Sequence, residues 1–335
     1  VRRRTFLAFS LACPFHVLAE EKYPRVLQGH ALQFPRDHGA HPDFRQEWWY
    51  VTGWLRTDGG QDLGFQVTFF RARPNIETAN PSNFTPRQVI LAHAALSDPR
   101  HGRLRHDERA ARTALGLAGS GEETTKVWVD GWFLDLSGQQ YKTKIEARDF
   151  SLELEFESPG NVVLQGDAGF SRKGNGPGEA SYYYSRPQLI VRGTASGSAV
   201  TGTAWLDHEW SSQYMAAGAT GWDWCGLNLD DGEALMAFRM RGKDGAVAFA
   251  PPGVAFEPLR TWKSPRTGVV YPVSFLVTAK EKQYRLEPLM DDQELDARAS
   301  TGTIYWEGAV RAFRADKQVG RGYLELTGYW RPMKL

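Results

Sequence analysis

The run from Ser151 to Glu157 reads Ser-Leu-Glu-Leu-Glu-Phe-Glu, so Leu152, Leu154 and Phe156 alternate with Glu153, Glu155 and Glu157. A period of two places successive side chains on opposite faces, which gives this segment one dry and one wet face only if it is a β-strand. A helix would spread the three glutamates around its axis. Further strand patterns fall at 47–55, 63–71, 89–96, 127–136, 141–147, 189–194, 199–210, 221–229, 234–241, 269–279, 283–287, 303–313 and 320–329. Asp58-Gly59-Gly60 and Asp230-Asp231-Gly232 supply residues that tolerate positive φ between two such runs, the mark of a hairpin. Only 110–118, rich in Ala and Leu, predicts a short helix.

The chain is long enough for two domains, with 335 residues, and its aromatic share of 13% suits pleated sheets better than a helical bundle. Two internal echoes divide it. Trp48 and Trp222 each open an aromatic strand followed by an Asp-Gly turn and an alternating strand, and Thr201-Gly202-Thr203-Ala204-Trp205 resembles Thr301-Gly302-Thr303-Ile304-Tyr305. The expected class is all-β, with two tandem antiparallel β-barrels at 47–198 and 199–335 behind a proline-punctuated, extended arm at 20–46. Barrels of this size are wide enough to hold one small apolar ligand. The proline- and asparagine-rich stretch 72–87 reads as a long loop that gates access.

Val1-Arg2-Arg3-Arg4, an apolar run over 5–19 and a Val17-Leu18-Ala19 cleavage site have the form of an export signal, and Arg3-Arg4-Thr5-Phe6-Leu7 fits the twin-arginine variety. Export to the periplasm or beyond is the expectation. Removal of 1–19 takes Cys13 with it and leaves Cys225 alone, so no internal disulfide forms and the thiol reads as a buried small apolar residue. A net charge of +1 without a later basic run argues against nucleic acid as a partner.

Proton-transfer groups are densest in Trp205-Leu206-Asp207-His208-Glu209-Trp210, followed closely by Tyr214. In a strand Leu206, His208 and Trp210 share one face, while Trp205, Asp207 and Glu209 share the other. The same cluster also fits a purely structural role, in which buried polar groups satisfy one another. Trp48 and Tyr50 in Glu47-Trp48-Trp49-Tyr50 line a ligand cavity or close a barrel. Tyr182-Tyr183-Tyr184 lines a cavity mouth or fills a strand. The two histidines and two acids of 37–43 lack a distant third histidine with clear pairing, so no metal site is expected. His93, His101 and His106 read as scaffold or surface residues.

His41-Pro42-Asp43-Phe44-Arg45-Gln46-Glu47-Trp48-Trp49-Tyr50-Val51-Thr52-Gly53, Tyr182-Tyr183-Tyr184-Ser185-Arg186-Pro187, Trp205 to Ser212, Tyr305 to Val310 and Gly322 to Gly328 resemble, in order, the signatures of the carotenoid 1,2-hydratase and AttH-like family. The resemblance spans about 32–329. It implies two lipocalin-like barrels and, for the hydratases, cofactor-free addition of water to an alkene. The matching Asp-His-x-Trp motif lands on Asp207, His208 and Trp210 as catalytic residues, with Tyr214, Trp222, Trp224, Trp48 and Tyr50 against an apolar polyene, isoprenoid-like or lipid ligand. The alternative it implies is a non-catalytic carrier working beside an ABC transporter, with peripheral contact at a membrane. No Gly-x-Ser-x-Gly elbow, phosphate-binding glycine loop or dinucleotide fingerprint is present.

Overall fold

A computed structural model describes residues 23–74, 85 and 87–333. The export signal with Cys13, and most of the expected gating loop, lie outside the described residues. The first sheet contains β1 (Gln46–Thr57), β2 (Asp62–Ala72), β3 (Val89–Ser97), β4 (Arg105–Arg112), β5 (Ala118–Ser120), β6 (Lys126–Val129), β7 (Trp132–Ser137), β8 (Gln140–Glu146), β9 (Ser151–Glu157), β10 (Val163–Leu164), β11 (Phe170–Arg172), β12 (Ala180–Ala195) and β13 (Ser198–Gln213). The second contains β14 (Ala219–Leu229), β15 (Ala234–Gly242), β16 (Val247–Phe249), β17 (Ala255–Lys263), β18 (Val270–Ala279), β19 (Lys282–Pro288), β20 (Glu294–Ala297), β21 (Thr303–Arg314) and β22 (Lys317–Leu326).

The first sheet runs β4-β3-β2-β1-β13-β12-β9-β8-β7-β6-β5, and its two ends come against one another, so it curls into a nearly closed barrel. The second runs β16-β15-β14-β22-β21-β19-β18-β17 as an open half-barrel. The all-β, tandem-barrel expectation therefore holds, with a second unit less closed than the first. Each unit fills its own interior. Trp49, Val51, Phe65, Val67, Leu206 and Trp210 belong to the first core, and Leu227, Phe275, Leu286, Trp306 and Leu324 to the second. A third cluster, with Tyr50, Trp54, Trp205, Trp224, Phe238 and Tyr323, joins the outer faces of the two sheets.

This back-to-back packing explains two kinds of strand. β9 faces water on one side, and its residues alternate between buried and exposed as its sequence predicts. β1, β21 and the 204–211 part of β13 are covered on both faces and are buried almost continuously, which is why they read as apolar, aromatic-rich runs. Trp54 pins the seam: its Nε1 donates to the Gly322 carbonyl at 3.0 Å, and the guanidinium groups of Arg311 and Arg321 lie 4.9 and 4.8 Å from its ring.

Four local expectations are corrected. No α-helix occurs among the described residues: Arg105–Arg112 pairs with β3 as a strand, Leu91 opposite Ala110, and the chain then turns through Leu115 and Gly116 at positive φ. Cross-strand pairing overrides the helix propensity of the alanines. The strand expected over 127–136 is a hairpin, broken by Asp130 and Gly131, both at positive φ. The boundary expected between 198 and 199 does not divide the sheets, because β13 lies between β1 and β12 and belongs to the first. The arm is not simply extended: a 3-10 turn over Arg36–His38 tucks Asp37, His38 and His41 into buried positions. Cys225 is buried, and burial pushes its thiol up to about 12, consistent with an inert apolar role.

Candidate active site

β13 faces two environments at once. Its register with β1 sets Trp49 opposite His208 and Tyr50 opposite Asp207, so alternate residues point into the first barrel or out into the seam. His208 and Trp210 point inward, where His208 lies 4.8 Å from the Trp49 ring and Trp210 stacks on His41 at 3.7 Å. Asp207 and Glu209 point outward. The three residues of the Asp-His-x-Trp motif are thus split between two sites.

Inside the barrel the hydrogen bonds have a forced direction. Arg186 Nη2 lies 2.9 Å from His38 Nε2, and a guanidinium only donates, so that nitrogen accepts. Burial and the nearby Arg186 charge push His38 down to about 3, so its single proton sits on Nδ1 and is donated to Tyr184 Oη at 2.9 Å. Tyr184 then donates to His208 Nδ1 at 3.1 Å, and His208 Nε2 to Glu47 Oε1 at 2.8 Å. Glu47 is fully buried, which opposes ionisation, yet Arg71 Nε at 2.7 Å and His41 Nδ1 at 2.8 Å hold its carboxyl well below the usual range. His41, against the effect of burial, is raised by Glu47 and Asp37, to which its two nitrogens donate.

His41, Glu47 and His208 place ligand atoms within 4.8 Å of one another, a spacing a metal ion would accept. The donors do not fit one. Both His41 nitrogens and His208 Nε2 carry protons committed to carboxylates, and Arg71 already neutralises Glu47.

The seam encloses a cavity of about 720 Å³. Trp48, Tyr50, Tyr214, Trp222 and Trp224, all expected to meet a ligand, line it, and so does Asp207. His208 and Trp210 do not. Facing Asp207 and Glu209 from the second sheet are Glu307 and Glu325. Asp207 accepts from Tyr183 Oη at 2.7 Å, Ser185 Oγ at 2.5 Å and Trp205 Nε1 at 2.7 Å, but complete burial outweighs these bonds and pushes its carboxyl up to about 7. Burial likewise pushes Glu325 up to about 7, and burial with the neighbouring Glu325 charge drives Glu307 well above the usual range. Glu209 is also raised by burial, although Lys173 Nζ lies 2.6 Å away, enclosed by the rings of Tyr183, Tyr214 and Phe238.

The AttH-like family profile matches residues 25–329. The chain belongs to the AttH-like family. The crystal structure of an AttH protein from Nitrosomonas europaea is similar at 50% identity, over 92% of this chain and 100% of that one, with a TM-score of 0.86. Kievitone hydratase from Nectria haematococca is similar in fold at 14% identity, over 92% of this chain and 97% of that one, with a TM-score of 0.63. Among curated proteins, none matches the sequence significantly.

Sequence reasoning assigned no role to Glu307, Glu325 or Lys173, read His93 as scaffold or surface, and left Tyr183 between a cavity mouth and a strand filler. Tyr183, unlike Tyr182 and Tyr184, faces the cavity. A signal for Glu307 does exist: it is the single charge in the apolar run Tyr305-Trp306-Glu307-Gly308-Ala309-Val310. The Thr-Gly-Thr echo also aligns Asp207 with Glu307, each two residues after an aromatic that faces the seam. In this AttH-like chain each sheet presents one of the two acids to the same cavity.

Proposed function

We propose that this AttH-like chain binds an apolar, alkene-bearing small molecule in the seam cavity and adds water to it without a cofactor. The reading is carried by buried carboxyl groups that keep or share a proton near neutral pH within an aromatic-walled cavity. Protonating carbon needs an acid that is still protonated at working pH, which fits Glu307. Its proton goes to one alkene carbon, and the π electrons form the new C–H bond, leaving a cation on the other carbon. Trp48, Trp222 and Trp224 offer their negative ring faces to that cation, each worth about 0.5–2 kcal/mol. Water then forms the C–O bond and gives its proton to Asp207, which is poised near neutrality as a base.

Kievitone hydratase has the same fold, so this architecture accommodates hydration; its substrate is not carried over. His208 and Trp210 keep a supporting role in this reading, holding β13 from its inner face. Export remains part of the proposal, since it would put the cavity where lipids are handed between carriers.

The test is native purification, solvent extraction and mass spectrometry of any co-purified compound, followed by incubation with that compound or an acyclic polyene. A product heavier by one water, formed by the wild type and lost in Glu307→Gln and Asp207→Asn, supports hydration. A retained, chemically unchanged lipid would replace it with the carrier reading.

A further inference from the structure

The seam cavity has a mouth. Of the residues that line it, Thr301, Gly302, Arg331 and Pro332 are exposed, so solvent enters between them. Strand geometry sets what lies below. Thr303, Tyr305 and Glu307 follow one another at period two on β21, and Glu325 stands opposite Glu307 on β22. Glu307 is therefore four residues in from Thr303, about 13 Å at a rise of about 3.3 Å per residue.

Charge is spread unevenly over this space. The carboxyl groups of Asp207, Glu209, Glu307 and Glu325 line the interior, and the buried Arg71 is committed to Glu47 at 2.7 Å. Arg331 is the cation left over. Its guanidinium lies 4.3 Å from the Trp330 ring and meets no carboxylate among the described residues. The backbone on either side of it is held to the rim. The Thr327 N–H donates to the Trp222 carbonyl at 2.9 Å, and the Met333 N–H donates to the Thr220 carbonyl at 2.8 Å. Met333 Sδ also meets Thr303 Oγ1 at 3.4 Å, which fastens this last segment beside the start of β21.

We propose that the ligand of the seam cavity is an amphiphile whose carboxylate rests on Arg331 at the mouth while its apolar body runs inward past Trp48, Trp222 and Trp224. The inference rests on the ligand-binding half of the proposed function and adds the head group and its direction. The opposite orientation would press an anion against four carboxyl groups in a site with little water to screen them. Arginine offers donors in a planar fork that matches a carboxylate, one positive charge to one negative. A phosphate monoester carries nearly two negative charges at neutral pH, so one would stay uncompensated beside the interior acids. The depth of Glu307 below the rim then sets the alkene in the middle of the chain, well away from the carboxylate.

Binding is read by quenching of tryptophan fluorescence with a stearate carrying two mid-chain bromines, and with the matching brominated alcohol, both below the concentration at which they aggregate. Bromine quenches an indole at contact, so the signal reports a chain lying against the cavity tryptophans. The wild type is expected to bind the acid about tenfold more tightly than the alcohol, the worth of one charge-assisted hydrogen bond. Arg331→Gln, a change at an exposed position, is expected to abolish that preference and leave the affinity for the alcohol unchanged. Equal affinity of the acid for the wild type and Arg331→Gln would overturn the head-group site and leave the cavity standing as an apolar one. Hexadecyl phosphate binding more tightly than the acid would overturn the carboxylate. Absence of quenching by acid and alcohol alike would overturn ligand binding in the cavity, and the hydratase reading with it.

Discussion

Glu47 and Glu307 are equally buried and chemically identical, yet their proton affinities are driven in opposite directions. Inside the first barrel Glu47 receives bonds from Arg71, His41 and His208 and is held ionised. In the seam Glu307 faces Glu325, with the Tyr50 and Tyr305 hydroxyls as its helpers and no cation among the groups that shift it. Burial therefore does not decide which carboxyl keeps its proton. Between these two, the supply of positive charge does. One strand, β13, serves both regimes by alternation, with His208 on the ionised side and Asp207 on the protonated side.

The strongest way to break the contrast is to remove the cation. Arg71→Met should strand the Glu47 charge inside the barrel and cost about 3–5 kcal/mol, read as a drop in urea midpoint at neutral pH. Glu307→Gln, by contrast, should raise that midpoint at neutral pH, because the amide spares the chain the proton uptake that burying Glu307 requires on folding.

A pH series sharpens the contrast next. Asp207 has a folded value near 7 against an ordinary 3.8, so its stabilising contribution is complete below about pH 4 and is lost as pH rises through 7. Glu47, depressed below its ordinary 4.5, behaves in reverse and loses its contribution only as pH falls through its folded value. Denaturation at pH 5 and pH 8 should therefore show the wild type weaker at the higher pH, and Asp207→Asn should reduce that difference. An unchanged difference in the variant would assign the slope to other groups.

The smallest effect is expected from Tyr184→Phe, which removes the hydroxyl between His38 and His208. A loss of about 1 kcal/mol in a thermal or urea melt is expected, together with freedom of the His208 ring to exchange tautomers, visible by nitrogen NMR. Turnover per folded molecule should be unchanged, since His38, Tyr184 and His208 do not line the cavity.

Much of this was legible in the sequence because period two is a local property. The alternation at 205–210 separates the Asp207 face from the His208 face before any contact is known, and the aromatic residues at 48, 50, 214, 222 and 224 all reach the cavity. What sequence could not supply was the meeting of distant strands. Glu307 joins Asp207 only because two sheets pack back to back, and nothing near either residue encodes that. The Asp-His-x-Trp motif is divided for a related reason: neighbours in sequence on a strand are opposites in space. The arm at 20–46 was read as loose because its prolines break regular structure, but His38 and His41 are held by long-range bonds to Tyr184, Arg186 and Glu47.

The seam has a spacer. A Cβ built on Gly64 would meet the Cβ of Ala309 at 2.5 Å and the Tyr323 hydroxyl at 2.9 Å, so this glycine lets the two sheets touch. Both hydrophobic cores lie away from that contact. The width of the pocket can then drift under selection, one side chain at a time, while the modules on either side keep their folding stability. Pocket size and foldability become separately heritable traits, and relatives sharing this scaffold are free to differ most in the volume they enclose between the sheets.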